Sequence, residues 1–162
     1  MEQAHEYHVR PGRADDARAI ADIWTASADE HAAWDSDCWA WADNAVHKYR
    51  EWIVECLGKD DAGVLVAVDE HDEPAGFTVV QVKDLGSFLA FPRRAQIVWI
   101  VVGSAHRLRG LGRMLVKAAA QFGRQHGAHR LSLLVASKNA AAIAFYKALG
   151  MESHIQEMYM RL

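Results

Sequence analysis

The sequence has few cysteines and no long apolar run, and each shortage excludes a class of protein. It has 162 residues and two cysteines, Cys38 and Cys56, without CxxC or zinc-finger spacing. That number and spacing favour buried free thiols in a reducing compartment over a disulfide framework or a structural zinc site. The first ten residues include no apolar signal region, and no stretch approaches the roughly 18 apolar residues that cross a membrane. We therefore expect a cytoplasmic protein that does not span a membrane.

Acidic residues are missing from a long central stretch. Residues 85–151 contain no Asp or Glu and 10 Lys or Arg, whereas residues 1–84 contain 19 acidic and 7 basic residues. Two interpretations stay open. The charges are ordinary solvated faces, or the C-terminal half faces a polyanion while the N-terminal half faces something cationic.

The length suits one domain, and we find no repeat, linker or low-complexity tract, so residues 1–162 are interpreted as a single domain. Apolar periodicity and turn residues predict an alternation of strands and helices that mixes hairpins with crossovers, which indicates α/β layers around a mixed sheet. The predicted strands are 7–10, 64–68, 76–82, 97–102, 131–135 and 155–161, the helices 14–28, 44–57, 111–125 and 140–149, and the main loop 83–95.

A glycine-containing loop follows the apolar strand 97–102. Arg107 and Arg109 precede Gly110 and Gly112, and a helix begins there. The first four N–H groups of a helix have no internal partner, and the helix dipole makes that end positive. Small residues at this point let a ligand approach the backbone, so the loop suits a pyrophosphate. A tight turn with solvated arginines is the alternative, since the loop matches neither a Walker nor a dinucleotide fingerprint.

A second segment places Asn139 at a helix start and Tyr146 seven residues later, on the same face, before Leu149 and Gly150. Together, Arg107-x-x-Gly110-x-Gly112 and this segment resemble the signature of the GNAT N-acetyltransferase superfamily. The resemblance is strong over residues 97–151 and extends to the whole chain in element order.

The resemblance implies a mixed, mostly antiparallel sheet with helices on both faces. The strands around 97–102 and 131–135 would splay apart to admit acetyl-coenzyme A. It also implies the residues that hold this cofactor, which are Val101, Val102, Arg107, Leu108, Arg109, Gly110, Leu111, Gly112, Arg113, Asn139 and Tyr146. Tyr146 would protonate the departing thiolate as the general acid. Asn139 as a plain helix cap and Tyr146 as a core residue stay open. Leu108 stands where the family commonly has glycine.

The implied function is transfer of an acetyl group from acetyl-coenzyme A to a primary amine, by direct attack in a ternary complex. A non-catalytic acyl-coenzyme A sensor on the same fold and, more remotely, a nucleic-acid binder are the competitors. We expect a small-molecule acceptor, no nucleic-acid partner, no metal site and a possible homodimer. Five tryptophans between residues 24 and 52 suit a core, an acceptor pocket or a dimer interface.

The general base is harder to place. An alkylamine is mostly protonated at neutral pH, so a group must accept its proton. Many relatives place an acid on the strand before the glycine loop, but residues 96–102 include none. The favoured candidates are His31, Asp35 and Asp37, near Trp34, and the C-terminal Glu152 and Glu157 stay open. An acidic loop with proton release through ordered water is the alternative.

Overall fold

The computed structural model describes residues 6–34, 39–158 and 160, which form an open sheet with helices on both faces. The strands run in the order β1-β2-β3-β4-β5, antiparallel except for the parallel pair β4–β5. The predicted fold class is confirmed. The strands are β1 His8–Pro11, β2 Ala62–Val68, β3 Pro74–Asp84, β4 Arg93–Val102 and β5 Arg130–Leu133, and the helices are α1 Ala17–Trp34, α2 Ala45–Leu57, α3 Leu111–Gln125 and α4 Ala140–Ala148.

Alternate residues of the strands face two separate helical layers. Val66, Phe77 and Val79 are fully buried on the side covered by α1 and α2. Val80 and Ile97 face the other side, where α3 covers the sheet and residues of α4 pack beside it. The long apolar runs of β2 and β3 are buried on both faces, as is typical of central strands.

A β-bulge in β4 lets nearby residues of the strand reach opposite layers. Val79 pairs with Trp99 and Val80 pairs with Ile97, so Val98 is the extra residue. Without a bulge, Ile97 and Trp99 would share a face because side chains alternate along a strand. With it, Trp99 packs beside α1 and Ile97 packs beside α3.

The parallel pairing of β4 with β5 stops partway along β4. Four positions pair, from Arg94 with Arg130 to Ile97 with Leu133, and β4 continues to Val102. The strand predicted over 131–135 therefore begins one residue earlier and ends at Leu133. Beyond Ile97, β4 has no pairing with β5, as expected where the two strands separate.

Two predicted boundaries need correction. The helix predicted over 14–28 begins as a 3-10 turn at Ala14–Asp16 and continues as α1 to Trp34. Residues 29–33 contain no helix breaker, and the indole of Trp41 donates to the carbonyl of Ala28 at 3.1 Å, so the helix does not end there. The loop predicted over 83–95 is also shorter, since its ends belong to β3 and β4.

The predicted last strand is wrong for the residues that the structure describes. Residues 151–158 and 160 have no regular secondary structure, and Ile155 and Met158 are exposed. Alternating apolar residues predicted a strand here, but a strand needs a partner edge, and none of the described strands pairs with this segment.

Candidate functional site

The site begins where β4 ends and α3 begins. A 3-10 turn at Ser104–His106 leads into Arg107, and two residues beyond it have left-handed backbone conformations, Leu108 (φ 62°) and Gly110 (φ 86°). Gly110 is at the N-cap position of α3, and a Cβ there would meet no atom within 4 Å. This glycine is thus required by backbone conformation, and the first turn of α3 opens directly beyond it.

Three arginines surround this turn, and the structure positions them differently. Arg107 donates from Nη2 to Glu30 Oε1 at 2.9 Å and from Nε to the Val102 carbonyl at 3.3 Å, so it ties the loop to α1 and β4. Arg109 donates to the Tyr7 hydroxyl at 3.4 Å. Arg113 is exposed in the first turn of α3. These positive charges reinforce the positive end of the α3 dipole.

Gly112 serves a contact that the sequence did not reveal. A Cβ at this position would lie 3.0 Å from the tip of the Phe145 ring on α4. Gly112 therefore allows α4 to approach the start of α3. A larger residue would disturb helix packing before it met any ligand, so the substitution Gly112→Val does not isolate a cofactor contact.

Asn139 immediately precedes α4, and Tyr146 lies about two turns farther along the helix. The Asn139 side chain accepts a hydrogen bond from Ala142 N at 3.0 Å, so it caps the helix. Tyr146 is half-buried against the α3 layer, and burial raises the pKa of its phenol to about 12. No hydrogen bond links its hydroxyl to another described residue. The phenol is therefore protonated at neutral pH, and its proton is free to donate.

His31 lies near the C-terminal end of α1, on the face of β4 that carries Trp99. Its Nδ1 is 2.8 Å from the Ser27 carbonyl oxygen. A carbonyl only accepts, so Nδ1 carries the proton and Nε2 of the neutral ring carries a lone pair. Asp35 and Asp37, the other predicted base candidates, are outside the described residues.

An aromatic cluster surrounds His31. The His31 ring lies 4.9 Å from Trp39 and 6.3 Å from Trp99, centroid to centroid. Trp24 stacks on Tyr49 at 4.2 Å and meets Trp99 edge-on at 5.9 Å. The cluster comprises Trp24, Trp39, Trp41, Tyr49 and Trp99. Sequence reasoning missed Trp99, although a tryptophan inside an otherwise aliphatic strand was the available signal.

Two negative findings concern the described residues alone. Across them, no group of three or more His, Cys, Asp or Glu side chains is arranged to hold a metal ion. Among these same parts of the chain, no helix has the length and apolar character to cross a membrane.

Comparison with known proteins matches this architecture. The model of the Acetyltransferase (GNAT) family matches residues 20–151. Streptothricin acetyltransferase of Streptomyces lavendulae is 39% identical over 94 residues, which are 57% of this chain and 47% of that protein. Mycothiol acetyltransferase of Corynebacterium glutamicum (strain R) is 39% identical over 67 residues, which are 40% of this chain and 23% of that protein. The matches thus span less than half of these curated relatives.

Solved structures show the same fold over nearly the whole chain. A tetramutant of the BH1408 protein of Bacillus halodurans superposes with a TM-score of 0.84 at 22% identity, covering 96% of this chain and 99% of that one. The aminoglycoside N-acetyltransferase AAC(6')-Iy in complex with CoA gives a TM-score of 0.75 at 16% identity, covering 100% and 98%. At these identities the likeness establishes the fold alone.

Proposed function

This chain belongs to the acetyltransferase (GNAT) family, and we propose that it transfers an acetyl group from acetyl-coenzyme A to a primary amine of a small molecule. One observation carries the proposal. The parallel pairing of β4 with β5 ends at Ile97, on the sheet next to a helix N-terminus bearing Arg109 and Arg113. A strand edge left open beside an anion site suits a ligand that joins an amide-containing arm to a pyrophosphate.

In this proposal the backbone of Val101 and Val102 pairs with the pantetheine arm. Gly110, Leu111 and Gly112 offer helix N–H groups to the pyrophosphate, with the flanking loop residues Arg107, Leu108, Arg109 and Arg113. The exposed Arg113 is the sharpest probe, because it forms no hydrogen bond or ion pair with another described residue, so its substitution removes no contact within the protein. Arg107 is less suitable, since Glu30 and Val102 already engage it.

Arg113→Gln tests the cofactor site. Loss of one charged hydrogen bond should weaken acetyl-coenzyme A binding by about 1.5–3 kcal/mol, measured by calorimetry. Lys117→Gln is the matched control, because Lys117 is exposed one turn farther along α3. Equal affinities for wild type and both variants would contradict a pyrophosphate site at this helix start.

The remaining chemistry moves two protons. The amine nitrogen attacks the thioester carbonyl carbon and the carbon–sulfur bond breaks. We assign Tyr146 the donation of its phenol proton to the departing thiolate, because that proton is free to donate. We assign His31 Nε2 the acceptance of the proton that the amine loses. The ring's Nδ1–H bond to Ser27 fixes the tautomer that this requires.

The acceptor is proposed to approach over Trp39 and Trp99, beside His31. Aromatic faces attract an ammonium group, and the acidic N-terminal half raises the local concentration of cations. A cytoplasmic location is proposed on the cysteine usage alone. A homodimer stays a prediction.

His31→Gln separates the proposed base from a structural imidazole. Gln keeps a polar side chain but cannot accept the proton of the amine, so the acetylation rate should fall about 10²–10⁴-fold with little change in acetyl-coenzyme A affinity. His47→Gln on the exposed face of α2 is the control. An unchanged rate in His31→Gln would remove His31 and leave Asp35, Asp37 or water.

A further inference from the structure

Three cations lie in one row across three neighbouring strands, at the end of β4 opposite the cofactor site. The strand register pairs Lys83 of β3 with Arg94 of β4, and Arg94 with Arg130 of β5. Directly paired residues project from the same face of a sheet with their Cβ atoms about 5 Å apart. The row therefore concentrates three positive charges.

The face that carries the row follows from its neighbours. Val82, Ala95 and Leu131 pack against the α3 layer, so Lys83, Arg94 and Arg130 project from the opposite face. This is the face on which α1 and α2 cover the more central strands.

The next row on this face is also polar. Gln81 pairs with Gln96, and Gln96 pairs with Ser132. The Ser132 hydroxyl donates to the Ala95 carbonyl at 3.3 Å, and the amides of Gln81 and Gln96 add polar groups beside the cationic row. Two successive rows on this face of the sheet are therefore polar.

No acid forms an ion pair with the row in the parts of the chain that the structure describes. Ion pairs there do not include Lys83, Arg94 or Arg130. Asp84 follows Lys83 directly, so it projects from the other face, and its carboxylate accepts from Gly86 N at 2.9 Å. Moreover, Nε of Arg94 is buried without a hydrogen-bond partner among the described residues. Like charges directly opposite one another destabilise a sheet, and a buried donor without an acceptor adds to that cost.

We propose that the Lys83–Arg94–Arg130 row binds an oxoanion, a phosphate or carboxylate group, at a site separate from the cofactor loop. An oxoanion on the row supplies acceptors to the guanidinium groups of Arg94 and Arg130 and to the ammonium group of Lys83. It also screens the repulsion along the row. The group belongs either to a free small anion or to the far end of the acceptor, since Trp99 lies farther along the same strand.

Inorganic phosphate is the probe, and thermal unfolding at constant ionic strength is the readout. Phosphate at about ten times its Kd should raise the Tm of wild type by about 3–6 °C over chloride. Arg94→Gln should lose most of that increment and, in chloride, unfold at the same temperature as wild type or higher. Arg50→Gln, an equal charge change at an exposed position of α2, should keep the full increment. Any phosphate bound at the start of α3 is common to all variants and cancels.

Arg130→Gln repeats the test at an exposed position where folding is not at risk. A phosphate increment that is equal in wild type, Arg94→Gln and Arg130→Gln overturns the proposal. This readout needs no acetyl transfer, so it stands or falls apart from the proposed function. Where transfer is measured, amines offered with and without a terminal phosphate distinguish the source. If Arg130→Gln raises the KM for the phosphorylated amine alone, the anion belongs to the acceptor. If the KM is unchanged for both amines while the thermal increment is lost, the anion is a free one.

Discussion

Tyr146 shows how burial prepares a single side chain for chemistry. With its pKa raised to about 12, the phenol stays protonated across the range in which alkylamines become neutral. Its ionisation therefore does not limit the rate below about pH 11, and a proton is present whenever a thiolate leaves. The same burial makes the phenol a weaker acid, so the transfer must be assisted by the basicity of the thiolate itself.

Tyr146→Phe removes that proton and almost no volume. We expect the acetylation rate to fall about 10²–10⁴-fold with little change in acetyl-coenzyme A affinity. Steady-state kinetics measures the first quantity and calorimetry the second. A wild-type rate would leave Tyr146 as a packing residue of the α3 layer.

Leu108 illustrates a cost that sequence comparison only suggested. It has a φ of 62° and its side chain is fully exposed. The left-handed conformation is strained by about 1–2 kcal/mol for a residue with a Cβ, and no contact visible at this side chain offsets it.

Leu108→Gly should therefore stabilise the protein by about 0.5–1 kcal/mol, because relief of strain outweighs the added entropy of the unfolded chain. Chemical denaturation provides the measurement. Leu108→Ala keeps the Cβ and should give no such gain, so equal stabilities of the glycine and alanine variants would contradict the strain.

At the scale of elements, one ion pair fixes the entry into α1. Asp16 accepts two hydrogen bonds from Arg10, at 2.8 and 3.0 Å, and one from Arg13 N at 2.7 Å. The two side chains are only 11% and 8% exposed. Burial alone would raise the pKa of Asp16, but the bonds from Arg10 and Arg13 outweigh it, and the pKa is lowered.

Asp16→Asn should destabilise the fold by about 2–3 kcal/mol at neutral pH, because the buried Arg10 guanidinium loses one of its two carboxylate partners and keeps only Asp72, which binds its Nε at 2.6 Å. A lowered pKa means that this stability is present above the unfolded-state pKa of about 4 and is lost as pH falls below it. The difference between wild type and Asp16→Asn should thus shrink in acid. Urea unfolding at several pH values measures it, with the exposed Asp22→Asn as control. A difference that is constant with pH would contradict the assignment.

The sequence predicts an element well when local residues determine where it begins and ends, and poorly when distant contacts do. Helix α3 was predicted at its observed limits, because Gly110 begins it locally and periodicity continues to Gln125. The strand predicted over 155–161 is absent from the described residues because a strand depends on a distant partner. Helix α1 was predicted too short, since it continues past Ala28, the residue whose carbonyl accepts from the Trp41 indole. The contact between Gly112 and Phe145 likewise joins two helices and has no local signal.

At the scale of the molecule, the acidic and basic halves meet along β4. The end of β4 at Val102 lies beside α3 and the arginines of the loop. On the face covered by α1 and α2, β4 carries Trp99, which lies near His31, and Arg94, which pairs with Lys83. The pair Arg107–Glu30, at 2.9 Å, links the two halves across this boundary. One strand thereby carries the proposed donor site at one end and, on the face covered by α1 and α2, both the proposed amine site and the cationic row.

The most direct test of this account offers acetyl-coenzyme A to the protein with a panel of small primary amines and analyses the products by mass spectrometry. We predict that at least one amine gains a single acetyl group, with stoichiometric release of free thiol, and that Arg113→Gln slows this at limiting donor. Binding of acetyl-coenzyme A without acetylation of any amine in a broad panel would contradict the proposed enzyme and favour an acyl-coenzyme A sensor.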